Sequence, residues 1–298
     1  MSLTARFWGT RGSVPCPGPT TLRYGGNTPC LEVRTADGAL IILDAGTGMR
    51  ALGRALTRRP AERSTDGSER RATPIVGDLF LTHLHWDHIQ GLPFFAPLYR
   101  EEHRFTVWCP SAIVADAERV VRSQMSPGVF PVDFDQLRAT VEFRIADVGD
   151  VACSGADVRA LPVRHPGGAL GFRVAGPDGA ALVYVPDNEL DPAAPYDAPR
   201  DWRDRLVEFA RGARLLVHDG MYTPAEHGGR RGWGHSTYTE ALALAIDAGV
   251  ETLALFHHDP ERGDEELDAV VAECRAMAEA RGSEVRVIAA AEGLELEV

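Results

Sequence analysis

The stretch Leu79-Phe80-Leu81-Thr82-His83-Leu84-His85-Trp86-Asp87-His88 decides the reading of this chain. Its first three residues form a short apolar run of the kind that makes a buried strand. Four metal-ligand side chains then fall within six residues, and three of them are among the chain's ten histidines. Leu79 and Leu81 can point into a core while the polar residues project from a loop beyond the sheet edge. Imidazole nitrogen and carboxylate oxygen suit Zn²⁺ and similar borderline metals. His83 and His85 alternate so that both rings can reach one ion, and Asp87 and His88 sit far enough along to reach a second. The alternative is an exposed histidine-rich loop with no metal, and the density and spacing of the donors argue against it.

The whole chain of 298 residues, 44% hydrophobic and 25% charged, has the composition of an ordinary soluble globular protein. No apolar run approaches the roughly 20 residues that span a bilayer, so no membrane association is expected. The start, Met1-Ser2-Leu3-Thr4-Ala5-Arg6-Phe7, shows no basic segment leading into an apolar one. Five scattered cysteines, odd in number and never at Cys-x-x-Cys spacing, argue against a disulfide framework and a thiolate zinc site. Free thiols in a reducing cytoplasm are the simplest account, so a cytoplasmic location is expected. The net charge of -12 repels a polyanion, and no Lys/Arg stripe offsets it.

Working outward, Ala5 to Trp8 reads as a strand that opens into Gly9-Thr10-Arg11-Gly12-Ser13, a glycine-rich loop able to present N–H groups to an anion. Asp37-Gly38 between two apolar runs signals a hairpin. Asp44 closes the second run in a strand-to-helix turn, where a helix N-cap is one reading. Residues 59–73 read as an exposed loop, Thr106–Cys109 as a strand, and Ser111–Gln124 as a helix with Ser111 as its cap. The irregular apolar segment 125–134 could overhang a pocket or fold onto the core. Phe94, Phe95 and Tyr99 read as core before substrate platform. Four strands over 140–185 suit a meandering antiparallel sheet, and helices and strands alternate after it. With no linker and no internal repeat, residues 1–298 are expected to form a single domain.

Beyond the first cluster, His165 and Asp187 each stand just past an apolar strand, where a site at a sheet edge needs its ligands. His257-His258 follows Leu253-Ala254-Leu255-Phe256 in the same way. His-x-His-x-Asp-His after an apolar strand, with these residues in this order, resembles the metallo-β-lactamase superfamily of binuclear metallohydrolases. The resemblance covers almost the whole chain. It implies an α/β fold, a four-layer αββα sandwich of two mixed β-sheets flanked by helices. It also implies two divalent metal ions: Zn²⁺ is favoured by the donors, while Mn²⁺ or Fe fit the same set. Carried over, His83, His85 and His165 look like the first metal's ligands and Asp87, His88 and His257 like the second's. Asp187 then looks like the bridging carboxylate, and Asp44 like a brace that binds no metal. His257 is preferred to His258 because it follows its strand directly.

Two further stretches look like the ribonuclease Z-like phosphodiesterase branch. Leu216-Val217-His218-Asp219-Gly220 resembles its His-Glu-Ala-Thr segment with aspartate in place of glutamate, and Gly234-His235-Ser236-Thr237 resembles its His-Ser-Thr motif. The resemblance implies that His235 donates a proton to the leaving alkoxide, oriented by Asp219; His218 and Asp87 are counted with them among the candidate catalytic residues. Ser236, Thr237, Arg11 and Ser13 are the expected substrate contacts. The shorter aspartate leaves the reach to His235 in question. A long basic insertion of the kind that grips tRNA is absent, and with the acidic surface this points to a small anionic phosphodiester such as a cyclic nucleotide and against a long nucleic acid. A hydrolase of carboxylic derivatives (lactone, thioester or β-lactam) and an RNA 3'-end endonuclease of ribonuclease Z type are the alternatives, and a homodimer is left open.

Overall fold

Fourteen strands build two seven-stranded sheets in a computed structural model that describes residues 3–58, 73–110, 114–146, 148–153 and 155–298. The first sheet contains β1 (Thr4–Gly9), β2 (Cys30–Arg34), β3 (Leu40–Leu43), β4 (Val76–Phe80), β5 (Arg104–Pro110) and β6 (Thr140–Ala146). The second contains β7 (Gly149–Ala152), β8 (Asp157–Val163), β9 (Ala169–Ala175), β10 (Ala181–Val185), β11 (Leu215–Asp219), β12 (Thr252–Phe256) and β13 (Arg286–Ala289), and β14 (Glu295–Glu297) returns to pair with β1. Both sheets are mixed: β14-β1-β2-β3 pair antiparallel and β3-β4-β5-β6 parallel, while β7-β8-β9-β10 are antiparallel and β10-β11-β12-β13 parallel.

The helices follow the parallel crossovers. They are α1 (Met49–Thr57), α2 (Trp86–Ile89), α3 (Val114–Ser123), α4 (Trp202–Ala210), α5 (Pro224–His227), α6 (Tyr238–Ala248) and α7 (Asp264–Ala280). Phe7, Val33 and Phe80 of the first sheet meet Phe172, Val174, Tyr184 and Phe256 of the second in one layer of core. The opposite face of the first sheet, with Leu40, Ile42 and Leu79, is covered by Leu52 of α1 and Val121 of α3. The outer face of the second, with Val183, Val185 and Leu216, packs on Leu206, Leu242 and Val270 of α4, α6 and α7. The architecture is the αββα sandwich of two mixed sheets. Strands covered on both faces, such as β10 and β11, are buried along their whole length; β10 reads as an unbroken apolar run and β11 as one up to His218.

Some local expectations change. Thr140–Ala146 does not join the antiparallel meander; it pairs parallel with β5 after the α3 crossover and so belongs to the first sheet. Gly149–Ala152 and Glu295–Glu297 are additional strands, too short and too polar to stand out in sequence. Ser111 and most of the 59–73 loop lie outside the described residues. In segment 125–134, Met125 and Phe134 are buried in the core, whereas Phe130 packs edge-on against the exposed Phe94. Phe95 is core, as expected. Among the described residues no helix is long and apolar enough to cross a membrane.

Candidate metal centre

The polar residues singled out above gather where strands of both sheets end. Asp44 follows β3, the His83–His88 segment follows β4 and runs into α2, and His165 follows β8. Asp187 follows β10, Asp219 is the last residue of β11, and His257 follows β12. Strands deliver their side chains with fixed direction, and the loops beyond their carboxyl ends are free to turn inward over the sheet edge.

Two triads result. Donor atoms of His83, His85 and His165 all lie within 4.8 Å of one another, and so do those of Asp87, His88 and His257. Asp187 stands between them. Its Oδ2 lies 3.8 Å from His83 Nε2 and 3.6 Å from His165 Nε2, while its Oδ1 lies 3.0 Å from His88 Nε2 and 3.3 Å from His257 Nε2. One carboxylate thus faces each triad with a different oxygen. Of the pair His257-His258, His257 lies in the donor cluster, while His258 turns away and donates from Nε2 to the carbonyl of Ala290 at 2.8 Å.

His83, His88 and His165 each have a partner at Nδ1, as metal-ligating histidines usually do, while His257 Nδ1 is buried without one. His165 Nδ1 donates to the Gly234 carbonyl at 2.9 Å, leaving Nε2 to face His85 Nδ1. Gly234 has φ +91°, and a Cβ there would come within 2.1 Å of His165 Nδ1, so the backbone can approach that ring only without a side chain. His88 Nδ1 donates to Asp44 at 2.8 Å. Asp44 is fully buried and also accepts from the Thr82 amide at 2.8 Å, the Thr82 hydroxyl and the Tyr184 hydroxyl. It therefore braces the histidine loop, and α1 is capped by Gly48 instead. Three non-glycine residues with positive φ occur among the described residues: Ser13 (61°), Asp44 (62°) and His257 (55°). All three belong to this region, where the surrounding contacts hold a backbone conformation that L residues avoid.

The donor set fits divalent cations. His83 Nε2, His88 Nε2 and Asp187 Oδ1 are buried without a hydrogen bond of good geometry, and His88 Nε2 and Asp187 Oδ1 face each other at 3.0 Å, a crowding that a shared cation would relieve. Burial holds the His83 and His165 rings below their ordinary pKa, His165 at about 4, and partial desolvation lowers His85, whose outer edge stays exposed. Burial alone would raise Asp87 and Asp187, but the neighbouring His88 and His257 hold both below the usual carboxylate range. Neutral imidazole and ionised carboxylate are the forms that bind metal. His88 is the exception: burial opposes its charge, but Asp187, Asp87 and Asp44 together raise it. That surplus of negative charge draws a proton onto a metal-free ring, and a cation can take its place.

Beside the triads lies a second polar pair. His235 Nδ1 donates to Asp219 Oδ2 at 2.8 Å and lies 4.0 Å from Asp187 Oδ2, and its ring stacks on that of His257 with centroids 4.8 Å apart. The shorter aspartate therefore does reach. Asp219 is itself fixed by the amides of Met221 (2.9 Å) and Asn188 (3.3 Å). Burial works against protonation of His235, yet Asp219 and the nearby Asp187 and Asp87 outweigh it and raise the ring to about 9.

The structure corrects four expected roles. Arg11 is buried, and its guanidinium donates to the carbonyls of Gly25, Asp259 and Arg262; it ties loops together and has no free face for substrate. His218 sits fully buried behind Asp219, donating from Nδ1 to the Asp219 carbonyl and meeting Asn188 Nδ2 at 3.1 Å, so it supports the fold of that corner. The Ser236 hydroxyl donates to the Asn188 carbonyl and accepts from the Leu190 amide. Thr237 caps α6, whose first turn is closed by Glu240, so this helix start has no vacant cradle for phosphate. Ser13 does reach the cluster, through its backbone: its amide donates to Asp87 Oδ2 at 2.8 Å.

One residue escaped the sequence reading. Glu189, fully buried, accepts from the amides of Gly232 (2.8 Å) and Gly234 (2.9 Å) and from the Tyr196 hydroxyl. It pins the loop that delivers both the Gly234 carbonyl to His165 and the side chain of His235. Its adjacency to Asp187 in Asp187-Asn188-Glu189 was the available signal.

A sandwich of two mixed sheets carrying a His/Asp cluster at its strand ends defines a metal-binding hydrolase scaffold. Residues 40–258 match the family model of the beta-lactamase superfamily domain, and the chain belongs to the metallo-β-lactamase superfamily. It is similar to ribonuclease Z of Haloarcula marismortui, 25% identical over 299 residues that cover 86% of each chain. Ribonuclease Z of Halorubrum lacusprofundi is 29% identical over 293 residues, again 86% of each. The structure of unliganded yeast PDE1 superposes with a TM-score of 0.69 at 17% identity, covering 100% of this chain and 99% of that one. The chain is thus a hydrolase of this superfamily, on its ribonuclease Z-like branch. Relatives of that name lend no support to the expectation against long nucleic acids.

Proposed function

We propose that the protein is a phosphodiesterase working with two divalent ions, for which Zn²⁺ suits the donors best. His83, His85 and His165 would hold one ion, Asp87, His88 and His257 the other, and Asp187 would bridge them. Such ions supply Lewis acidity and a nucleophilic hydroxide near neutral pH. The observation that carries the reading is the His235–Asp219 pair, 2.8 Å apart and within 4.0 Å of the bridging carboxylate. Hydrolysis of a diester adds water across a P–O bond and gives a monoester and an alcohol, whose oxygen is a poor leaving group until protonated. His235, its Nδ1 committed to Asp219, has Nε2 left to give that proton. Hydrolysis of a lactone, thioester or β-lactam has less use for this donor.

A small diester such as a cyclic nucleotide fits the acidic net charge. Cleavage of an RNA 3'-end is the second reading, favoured by relatives named ribonuclease Z across 86% of the chain. The test is a panel on metal-analysed protein: cyclic nucleotides, bis(p-nitrophenyl) phosphate, a precursor tRNA, and lactone, thioester and β-lactam substrates. Cleavage of the diesters with an alkoxide leaving group is expected to fall ~10²-fold or more in His235→Ala, and that of bis(p-nitrophenyl) phosphate far less. Faster turnover of a carboxylic substrate, indifferent to His235→Ala, would overturn the reading, and precursor tRNA as the best substrate would select the second.

A further inference from the structure

Of the chain's five tryptophans, Trp108 and Trp202 are buried, while Trp86 and Trp233 are 70% and 60% exposed. Both exposed indoles sit next to the candidate site. Trp86 lies between His85 and Asp87, at the first turn of α2 on the first sheet's side. Trp233 precedes Gly234 and His235, on the second sheet's side, in the loop whose backbone presses against His165. Val14, 51% exposed, follows the residue whose amide bonds Asp87. Three exposed apolar side chains thus each border a residue that touches the cluster. Indoles left in water at this density beside a polar centre call for a ligand surface. His85 is also exposed, so the cluster opens to solvent on the side where Trp86 stands.

We infer that Trp86 and Trp233 form an aromatic platform, contributed from both sheets, on which a nucleobase of the substrate stacks while its phosphate lies at the cluster. The inference rests on the phosphodiesterase reading and adds the chemistry of the group attached to phosphorus. Any substrate whose phosphorus sits among these ligands must extend its organic group out of the cluster, and the two most exposed indoles among the described residues stand next in sequence to His85, Asp87 and Gly234 at its edge. Stacking needs no hydrogen-bond code, so the platform accepts a base without reading which base it is. In an acidic protein it also draws a nucleotide by a force that the net charge does not oppose.

The test compares two diesters with one leaving group: thymidine 5'-(p-nitrophenyl) phosphate and ethyl p-nitrophenyl phosphate. Both tryptophans are on the surface, so Trp86→Ala and Trp233→Ala leave the core intact. Base stacking of ordinary strength predicts a loss of about 5- to 150-fold in kcat/KM on the thymidine ester. The loss lies in KM, is restored in large part by phenylalanine, and leaves the ethyl ester unchanged. Equal losses on both esters, or none on either, overturn the platform. If wild-type protein cleaves neither ester, the phosphodiesterase reading fails separately. The platform is then judged by tryptophan fluorescence: quenching by thymidine monophosphate but not by glycerol phosphate, lost in the double variant, supports it, and absence of quenching overturns it.

Discussion

Replacing Asp219 by asparagine keeps the shape of the side chain and removes its charge, which makes it a sharp probe of His235. The carboxylate accepts from His235 Nδ1, Met221 N and Asn188 N, so alanine would leave buried donors stranded whereas asparagine still offers one oxygen. Asp219 is the largest influence favouring the protonated ring, and its field and hydrogen bond help raise His235 from 6.5 to about 9 against the opposing pull of burial. A difference of about 2.5 between those values is worth ~3 kcal/mol of preference for imidazolium. Without the negative charge the ring falls back, because burial then dominates. A general acid must carry its proton, so activity is present below the His235 pKa and lost as pH rises through it. Asp219→Asn should therefore move the alkaline limb of the kcat/KM profile to lower pH. Bound dications oppose protonation in both proteins and leave the direction of the displacement unchanged. At pH 8 the variant should lose ~10²-fold on a diester with an alkoxide leaving group. It should lose far less on bis(p-nitrophenyl) phosphate, whose phenolate departs without a proton. Equal losses on both, with an unmoved limb, would refute the assignment of His235 as proton donor.

Asp44→Ala should destabilise the protein by about 4 kcal/mol or more, since it strands the Thr82 amide and hydroxyl, the Tyr184 hydroxyl and His88 Nδ1 in a buried site. Urea unfolding of the metal-free protein measures that cost, and metal titration should show affinity at the Asp87–His88–His257 triad down roughly 10- to 100-fold. Glu189→Gln should free the loop over 232–234, because one of the two oxygens that accept its amides becomes a donor. Metal analysis should find the His83–His85–His165 triad weakened about 10-fold while the other triad holds its ion; full occupancy of both would show that the loop carries no such weight.

The metal-type residues were legible because sequence displays them in two ways. In His83–His88 the donors are dense enough to stand out unaided, and His165, Asp187 and His257 declare themselves by following apolar strands. What sequence hides is how a polar side chain is used up. Arg11 and Ser236 read as groups ready for substrate, yet they bond to backbone groups that only folding brings to them, whereas Thr237 is engaged by Glu240 in a capping box that its own sequence spells. Glu189 was passed over for the same reason, since the two loop amides that it accepts from lie more than forty residues away. At the level of the fold, the strand Thr140–Ala146 carries no mark of which sheet it will join; that depends on α3 returning the chain parallel to β5.

The cluster draws its donors from both halves of the sandwich, His83 to His88 from the first sheet and His165, Asp187 and His257 from the second. A nascent chain that has reached only residue 110 holds the first four donors and no place to put an ion. The second set arrives over the following 147 residues, and the last donor, His257, lies just past the strand to which β13 pairs. The cluster is thereby left incomplete until the two sheets have closed on each other, so a chain that misassembles either half lacks the site as well as the fold.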